Sequence, residues 1–282
     1  MSTKQNVALP DFSSIFALDG QVAVVTGGSR GLGLHAASGL LQAGCSKVYI
    51  TARKVAECEA AARALNALKN KRTGAQAIAI PADVSKAAGV NNLVDEISKT
   101  TDHVDILFAN AGSVWGAPFD THPEEGLDKT YNVNVKGVFL LIQRMASLLE
   151  SNATRQHPSR ILITGSIAGI GIGTLGSQAT YGYSMTKAAV MHLARNLAVE
   201  LGPRNILVNS IAPGLFPSKM TLDRMENVGG VANVASNVPN GRVGRPEDIA
   251  ALVVFLSGRG SSHINGTTIV IDGGNLHTRS ML

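Results

Sequence analysis

Tyr183 and Lys187 stand four residues apart in the stretch YSMTK, a spacing that puts a phenol and an ammonium on one helical face about 6 Å apart. A free phenol, with a pKa near 10, exchanges protons poorly at neutral pH. A cation one turn away stabilises the phenolate and brings that pKa toward a useful range. Ser166 follows the apolar run RILITG, where its hydroxyl can bond a carbonyl oxygen and stabilise the alkoxide that develops there. Together the three side chains suit proton delivery to a carbonyl. The spacing alone is common, and a solvated surface pair would show it too. Tyr181 is a decoy, because residue 185 is Met and not Lys.

Such a pair needs a partner that supplies electrons, and the stretch Gln21–Leu34, QVAVVTGGSRGLGL, provides a place for one. Val22–Val25 is an apolar run of strand length, Thr26–Gly33 is a glycine turn, and Leu34 to Ala43 has helical spacing. Strand, turn and helix in succession aim backbone N–H groups and a helix N-terminus at one point, where a pyrophosphate can sit. Gly31-x-Gly33-x-x-Ala36 fits the dinucleotide fingerprint, and Thr26-Gly27-x-x-x-Gly31-x-Gly33 fits a narrower pattern over it. The plain alternative is a tight turn with glycines kept for positive φ. No Gly-Lys-Ser/Thr closes the turn, so it is not a P-loop.

The chain then alternates. Strands are expected at Lys47–Thr51, Gln76–Ile80, Val104–Ala109, Arg160–Thr164, Ile206–Ile211 and Thr268–Ile271. Helices are expected at Val55–Leu68, from a Ser85 cap to Ser98, at about 124–149, at Tyr183–Leu201 and from Pro246 to Gly258. Seven strands alternating with six helices predict a single-domain α/β fold of the Rossmann type, a doubly wound parallel sheet flanked by helices. That domain should span 19–275, between an N-terminal extension (1–18) and a tail (276–282). A lid is expected at about 214–242, where Gly229–Gly230 and scattered apolar residues suit a mobile cover over an apolar substrate.

Ligands of such sheets bind at the carboxyl ends of the strands. Those ends carry Gly27, Ser29, Arg30, Gly31, Leu32 and Gly33, then Arg53, Asp83, Val84, Asn110, Ala111, Gly112, Pro213 and Gly214. With Tyr183 and Lys187 they form the expected cofactor-binding set. After the second strand the chain reads Thr51–Ala52–Arg53–Lys54, with no carboxylate to repel a phosphate. Arg53 and Arg30 therefore favour the 2′-phosphate of NADP(H) over NAD(H). Asp83 suits either the adenine amine or a helix cap. Trp115, the only tryptophan, suits either the cleft or ordinary packing.

Composition sets outer bounds. The net charge of +5 comes without any Lys/Arg tract, so no nucleic-acid partner is expected. No apolar run reaches spanning length, and Met1–Asp19 is too polar for a secretory signal, so no membrane partner is expected either. Cys45 and Cys58 show neither metal nor disulfide spacing, and the seven histidines are scattered; no metal and a reducing, cytoplasmic location are expected. The terminal Ser280–Met281–Leu282 only faintly matches a peroxisomal address.

The ordered motifs TGGSRGLG (26–33), ADV (82–84), NAG (110–112), NVKG (134–137), Ser166, YSMTK (183–187), PG (213–214) and IDGG (271–274) resemble those of the short-chain dehydrogenase/reductase family. The resemblance covers roughly residues 18–275. It implies a catalytic set of Ser166, Tyr183 and Lys187, with Asn134 completing a proton relay and Lys187 also holding the nicotinamide ribose. It further implies a homotetramer or homodimer formed through the helices at about 124–149 and 183–201. In Ser113–Ala117, Phe216–Thr221 and Gly241–Glu247 the chain is similar to 3-oxoacyl-carrier-protein reductases of the rhamnolipid-biosynthesis type. The resemblance thus implies NADPH-dependent reduction of a ketone on an apolar small molecule such as a 3-oxoacyl thioester, a polyketide or a secondary-metabolite intermediate. The alternatives are an NADP-dependent alcohol dehydrogenase of a sugar or steroid, and a non-catalytic NADP-binding scaffold. One departure is the segment from Ser166 to Tyr183, longer than is usual in the family by a few residues in Gly169–Gln178.

Overall fold

The computed structural model describes residues 12–278. The Ser280–Leu282 motif and residues 1–11 of the extension lie outside the described residues. In chain order the elements are β1 (Val22–Thr26), α1 (Gly31–Gln42), β2 (Lys47–Thr51), α2 (Val55–Asn66), β3 (Gln76–Ala79), α3 (Ala87–Ser98) and β4 (Ile106–Ala109). They continue with α4 (Glu124–Tyr131), α5 (Gly137–Glu150), β5 (Ser159–Thr164), α6 (Tyr181–Leu201), β6 (Ile206–Pro213), α7 (Leu222–Glu226), α8 (Gly230–Ser236), α9 (Pro246–Ser257), β7 (Thr268–Ile271) and α10 (Asn275–Thr278).

The strands form one sheet of order β3-β2-β1-β4-β5-β6-β7, every pair parallel. Strands β1, β4 and β5 are buried along their whole length, as uninterrupted apolar strands covered on both faces must be. On one face Val24, Tyr49, Leu107, Ile161 and Val208 pack with Leu93 of α3, Leu141 of α5 and Val190 of α6. On the other, Val25, Ile50, Phe108, Leu162 and Ile211 pack with Leu40 of α1, Ala61 of α2 and Val253 of α9. Each fully buried large apolar side chain contributes about 1.5–3 kcal/mol, so the sheet is held from both sides and its strand ends make a rigid rim.

The departures from the sequence expectations are local. The long helix expected at 124–149 is two helices joined by a π-helical turn, Asn132–Lys136. Gly137 is pressed against β3's exit there: a Cβ on it would stand 2.3 Å from the Val84 carbonyl. Ser85 does not cap α3. The extended residue before the helix is Lys86, and the Ser85 hydroxyl instead donates to Asp83 Oδ1 at 2.7 Å. Helix α6 starts two residues early, at Tyr181, and leaves through a 3₁₀ turn to Asn205, whose φ of 58° makes the left-handed exit. Between β6 and α9 the chain forms the short helices α7 and α8, which composition alone did not predict.

Candidate active site

The glycine turn closes as expected. Gly27 and Gly31 have φ of +65° and +53°, open to glycine without strain. A Cβ on Gly33 would lie 2.3 Å from the Gly27 carbonyl and 2.6 Å from Asn110 Nδ2, so α1 can approach β4 only with a glycine there. Arg30, the residue before α1, is extended and offers no side-chain cap, which leaves the first-turn N–H groups without an intrahelical acceptor.

From this turn a chain of hydrogen bonds crosses the strand ends. Thr26 Oγ1 accepts from the backbone N–H groups of Asn110 and Ala111, both at 3.0 Å. Asn110 Nδ2 donates to the Thr26 carbonyl at 3.1 Å, and its Oδ1 accepts from Thr164 Oγ1 at 3.1 Å. The Thr164 carbonyl in turn accepts from Lys187 Nζ at 2.6 Å. Lys187 is only 3% exposed, and burial pulls its pKa from 10.5 down to about 8. Its ammonium stands 5.6 Å from the centre of the Tyr183 ring, as the four-residue spacing predicts. Gly112 leaves the gap beside it: a Cβ there would be 3.6 Å from Lys187 Nζ and 3.5 Å from Asn134 Oδ1.

Asn134 sits inside the π turn and is 1% exposed. Its Oδ1 accepts from Ser113 N–H at 2.8 Å, and its Nδ2 donates to the Ser113 carbonyl and to Thr186 Oγ1, both at 2.9 Å. Thr186 donates on to the Tyr183 carbonyl at 2.8 Å. The Asn134 amide thus ties the loop after β4 to α6 and, through Thr186, to the Tyr183 carbonyl. Interruptions of this kind recur at functional sites. Ser166, 7% exposed, accepts from Ala168 N–H at 3.1 Å, which fixes the turn after β5 and leaves its hydroxyl proton to donate.

One cleft is lined by Gly27, Ser29, Arg30, Gly31 and Leu32, by Arg53, Asp83 and Val84, by Asn110–Gly112, and by Tyr183 and Lys187. Of the other expected residues, Gly33 and Asn134 stand behind that wall, and Ser166, outside the lining, follows two residues after Thr164, which belongs to it. Pro213 and Gly214 pair with β7, Gly214 N–H donating to the Ile271 carbonyl at 3.0 Å. Asp83 lines the cleft while its Oδ1 also accepts from the Ser85 N–H at 3.1 Å, a turn that leads into α3. Trp115 packs against Gly126, and Lys129 Nζ lies 4.8 Å from its ring centre. Among the described residues no His, Cys, Asp and Glu cluster could hold a metal ion, and no helix is long and apolar enough to cross a membrane.

The family model described as "Enoyl-(Acyl carrier protein) reductase" matches residues 27–275. The rhamnolipids biosynthesis 3-oxoacyl-[acyl-carrier-protein] reductase of Pseudomonas aeruginosa is 41% identical over 92% of this chain and 97% of its own length. The chain belongs to the short-chain dehydrogenase/reductase family. It is thereby an oxidoreductase of keto and hydroxyl groups. A second relative in this family, the 2-dehydro-3-deoxy-D-gluconate 5-dehydrogenase of Escherichia coli, is 33% identical over 93% of this chain and 97% of that protein. The solved Pseudomonas aeruginosa RhlG/NADP active-site complex superposes with a TM-score of 0.85 at 41% identity, covering 93% of this chain and 99% of that one.

Three residues of this dehydrogenase/reductase cleft were expected in the lid and not in the cofactor-binding set. Ser218, Lys219 and Met220, from the segment after β6, reach the glycine turn; a Cβ on Gly31 would be 3.6 Å from Ser218 Cβ. Nothing in their types marks them, because only the fold brings them back across the sheet. Thr51, Ala52, Lys54, Ala82, Ser113, Val133 and Thr164 also line the cleft outside the expected set, and so does Glu57. It lies one turn into α2, where its carboxylate accepts from Lys54 Nζ at 2.8 Å and stands 3.9 Å from Arg30 Nη1. The arginine side of the cleft therefore does hold an acid, which the reading of residues 51–54 did not include.

Proposed function

We propose that this protein is an NADPH-dependent ketoreductase of an apolar 3-oxo substrate, with Tyr183 as proton donor, Ser166 as holder of the substrate oxygen and Lys187 as the cation that tunes the phenol. The observation that carries the reading is the buried Lys187 ammonium, fixed by Thr164 in the same cleft as the glycine turn and Tyr183. An ammonium that burial disfavours is retained for chemistry more readily than for stability.

The cleft fits a phosphorylated dinucleotide. Its glycine floor turns through positive φ at Gly27 and Gly31, the first turn of α1 offers uncapped N–H groups, and Thr51 Oγ1 is buried there without a partner. Arg30 and Arg53 would hold the 2′-phosphate, the α1 N–H groups the pyrophosphate, Asn110–Gly112 the nicotinamide side, and Lys187 the ribose. Gly33, Pro213 and Gly214 shape this binding set from behind the wall. When bound, NADPH supplies the hydride. Ser166 orients the carbonyl, Tyr183 hands its proton to the oxygen, and Lys187 stabilises the phenolate left behind. Asn134 is a positioning residue that keeps α6 in register with the loop after β4.

Two segments leave the sheet at this edge, 167–180 after β5 and 214–242 after β6. Ile170, Ile172 and Leu175 on the first, and Met220, Leu222 and Val228 on the second, are exposed, which supports an apolar substrate under a lid formed by the second. Leu127 and Tyr131 on α4 and Phe139 on α5, with Met185 and Val199 on α6, are also exposed. They support pairing of those helices between copies in a homotetramer or homodimer. We further infer that the protein works in the cytoplasm and as one reductase domain over 19–275.

The test is NADPH consumption with 3-oxoacyl thioesters, cyclic diketones and keto sugar acids, with 2-enoyl thioesters as the contrast suggested by the family description. Turnover of the 3-oxoacyl thioester above the others is expected. Faster turnover of the keto sugar acid would favour the reading suggested by the Escherichia coli relative, and tight NADPH binding with no turnover of any would favour a scaffold.

A further inference from the structure

Four cations line the arginine end of the cleft, Arg30, Arg53, Lys54 and Lys219, beside two acids: Glu57 next to Lys54 and Arg30, and Asp83 on the Arg53 side. Three of the four sit in the turns from β1 into α1 and from β2 into α2. Lys219 alone among them comes from the lid, and it is exposed. Glu57 pairs with two of the four, Lys54 and Arg30. The hydrogen bond from Lys54 does most to hold its carboxyl below the ordinary range, burial opposes it, and the charges of Lys54, Arg30 and Lys219 add smaller contributions to the lowering. The lid turn is itself well pinned, since Thr221 Oγ1 donates to the Phe216 carbonyl at 2.6 Å and accepts from Ser218 N–H at 2.9 Å.

We propose that Glu57 stands in for the cofactor's 2′-phosphate when none is bound, and that Lys219 makes closure of the lid depend on that phosphate. The proposal rests on the NADP(H) reading above. A single carboxylate among exposed cations makes weak ion pairs. A phosphate brings between one and a half and two negative charges and three acceptor oxygens, so it displaces Glu57 from Arg30 and Lys54. Arg30, Arg53 and Lys54 then contribute affinity from fixed elements. Lys219 is drawn down on the phosphate and carries residues 218–226 with it, over the glycine turn that Ser218 already faces across the cleft. An NADH ribose brings no charge to this place, leaves Glu57 where it is, and gives the lid no added reason to close. Cofactor choice is thereby expressed twice, once in affinity and once in the cover over the substrate.

Hydrogen–deuterium exchange of the full chain tests this, with peptides from 215–240 followed under saturating NADP⁺ and under saturating NAD⁺. Occupancy is verified separately by calorimetry. The expected result is several-fold slower exchange of residues 218–226 with NADP⁺ than with NAD⁺. Lys219→Gln should erase that difference while NADP⁺ still binds through Arg30 and Arg53, and Glu57→Gln should tighten NADP⁺ several-fold and leave NAD⁺ affinity unchanged. Both side chains are solvent-facing, and circular dichroism checks that the variants fold. Equal protection by the two cofactors, a difference that survives Lys219→Gln, or weaker NADP⁺ binding in Glu57→Gln would overturn the switch. Failure of NADP⁺ to bind at all would overturn the cofactor reading with it, whereas binding with equal protection overturns the switch alone.

Discussion

Replacing Lys187 by Met removes a group whose surroundings oppose its charge, and the consequence for stability depends on pH with a sign that can be worked out. Folding lowers the Lys187 pKa from 10.5 to about 8, so between those values the native state binds fewer protons than the unfolded chain. Stability of the wild type must then rise as pH climbs through that window, and the cost of the buried charge is fully present below pH 8. At about 1.4 kcal/mol for each tenfold change, the whole cost is roughly 3 kcal/mol, of which about 2 kcal/mol is relieved between pH 7 and pH 9.5. Lys187→Met loses this dependence. It also leaves the Thr164 carbonyl without its donor, about 1–3 kcal/mol at every pH, so the two proteins should be similarly stable near neutrality. The assay is the melting temperature of both at several pH values, without cofactor, repeated on the Tyr183→Phe background to remove the neighbouring phenol's titration. The lead of the wild type over the variant should grow by about 4 °C from pH 7 to pH 9.5. A constant gap across that range would refute the claim that burial depresses this lysine.

Tyr183→Phe should lower kcat by about a thousandfold or more, in the range of a lost general acid, with NADPH affinity from direct titration unchanged; retained turnover would remove Tyr183 from its role. Arg53→Asp should raise the KM for NADPH far more than that for NADH, because the new carboxylate repels only the cofactor that carries a phosphate there. Gly33→Ala forces a Cβ to within 2.3 Å of the Gly27 carbonyl and should cost about 1–3 kcal/mol or more as an overpacked contact, read as a lower denaturant midpoint with the slope unchanged.

The sheet was legible because its signals are local and repeated. Val22–Thr26 and Lys47–Thr51 are apolar runs cut short by turns, and both strands fall where those runs lie. The Tyr183–Lys187 pairing was legible because a helix fixes its own geometry. The π turn at Asn132–Lys136 was not, since it follows from Gly137 pressing on Val84 and from the Asn134 amide bridging two distant elements. The expected cofactor-binding set left out Lys219 and Glu57 for the same reason. Residues 57 and 219 share a cleft only after the chain has crossed the sheet, and no spacing in the sequence records that.

The hydrogen-bonded chain from Thr26 through Asn110 and Thr164 to Lys187 bears on redesign. It makes the glycine turn and the Lys187 ammonium one mechanical unit, so under the proposed roles an altered Asn110 or Thr164 should detune recognition and turnover together. Arg30, Arg53, Glu57 and Lys219 lie off that chain. An engineer can therefore exchange one nicotinamide currency for the other at the rim of the fold while leaving its chemical centre untouched.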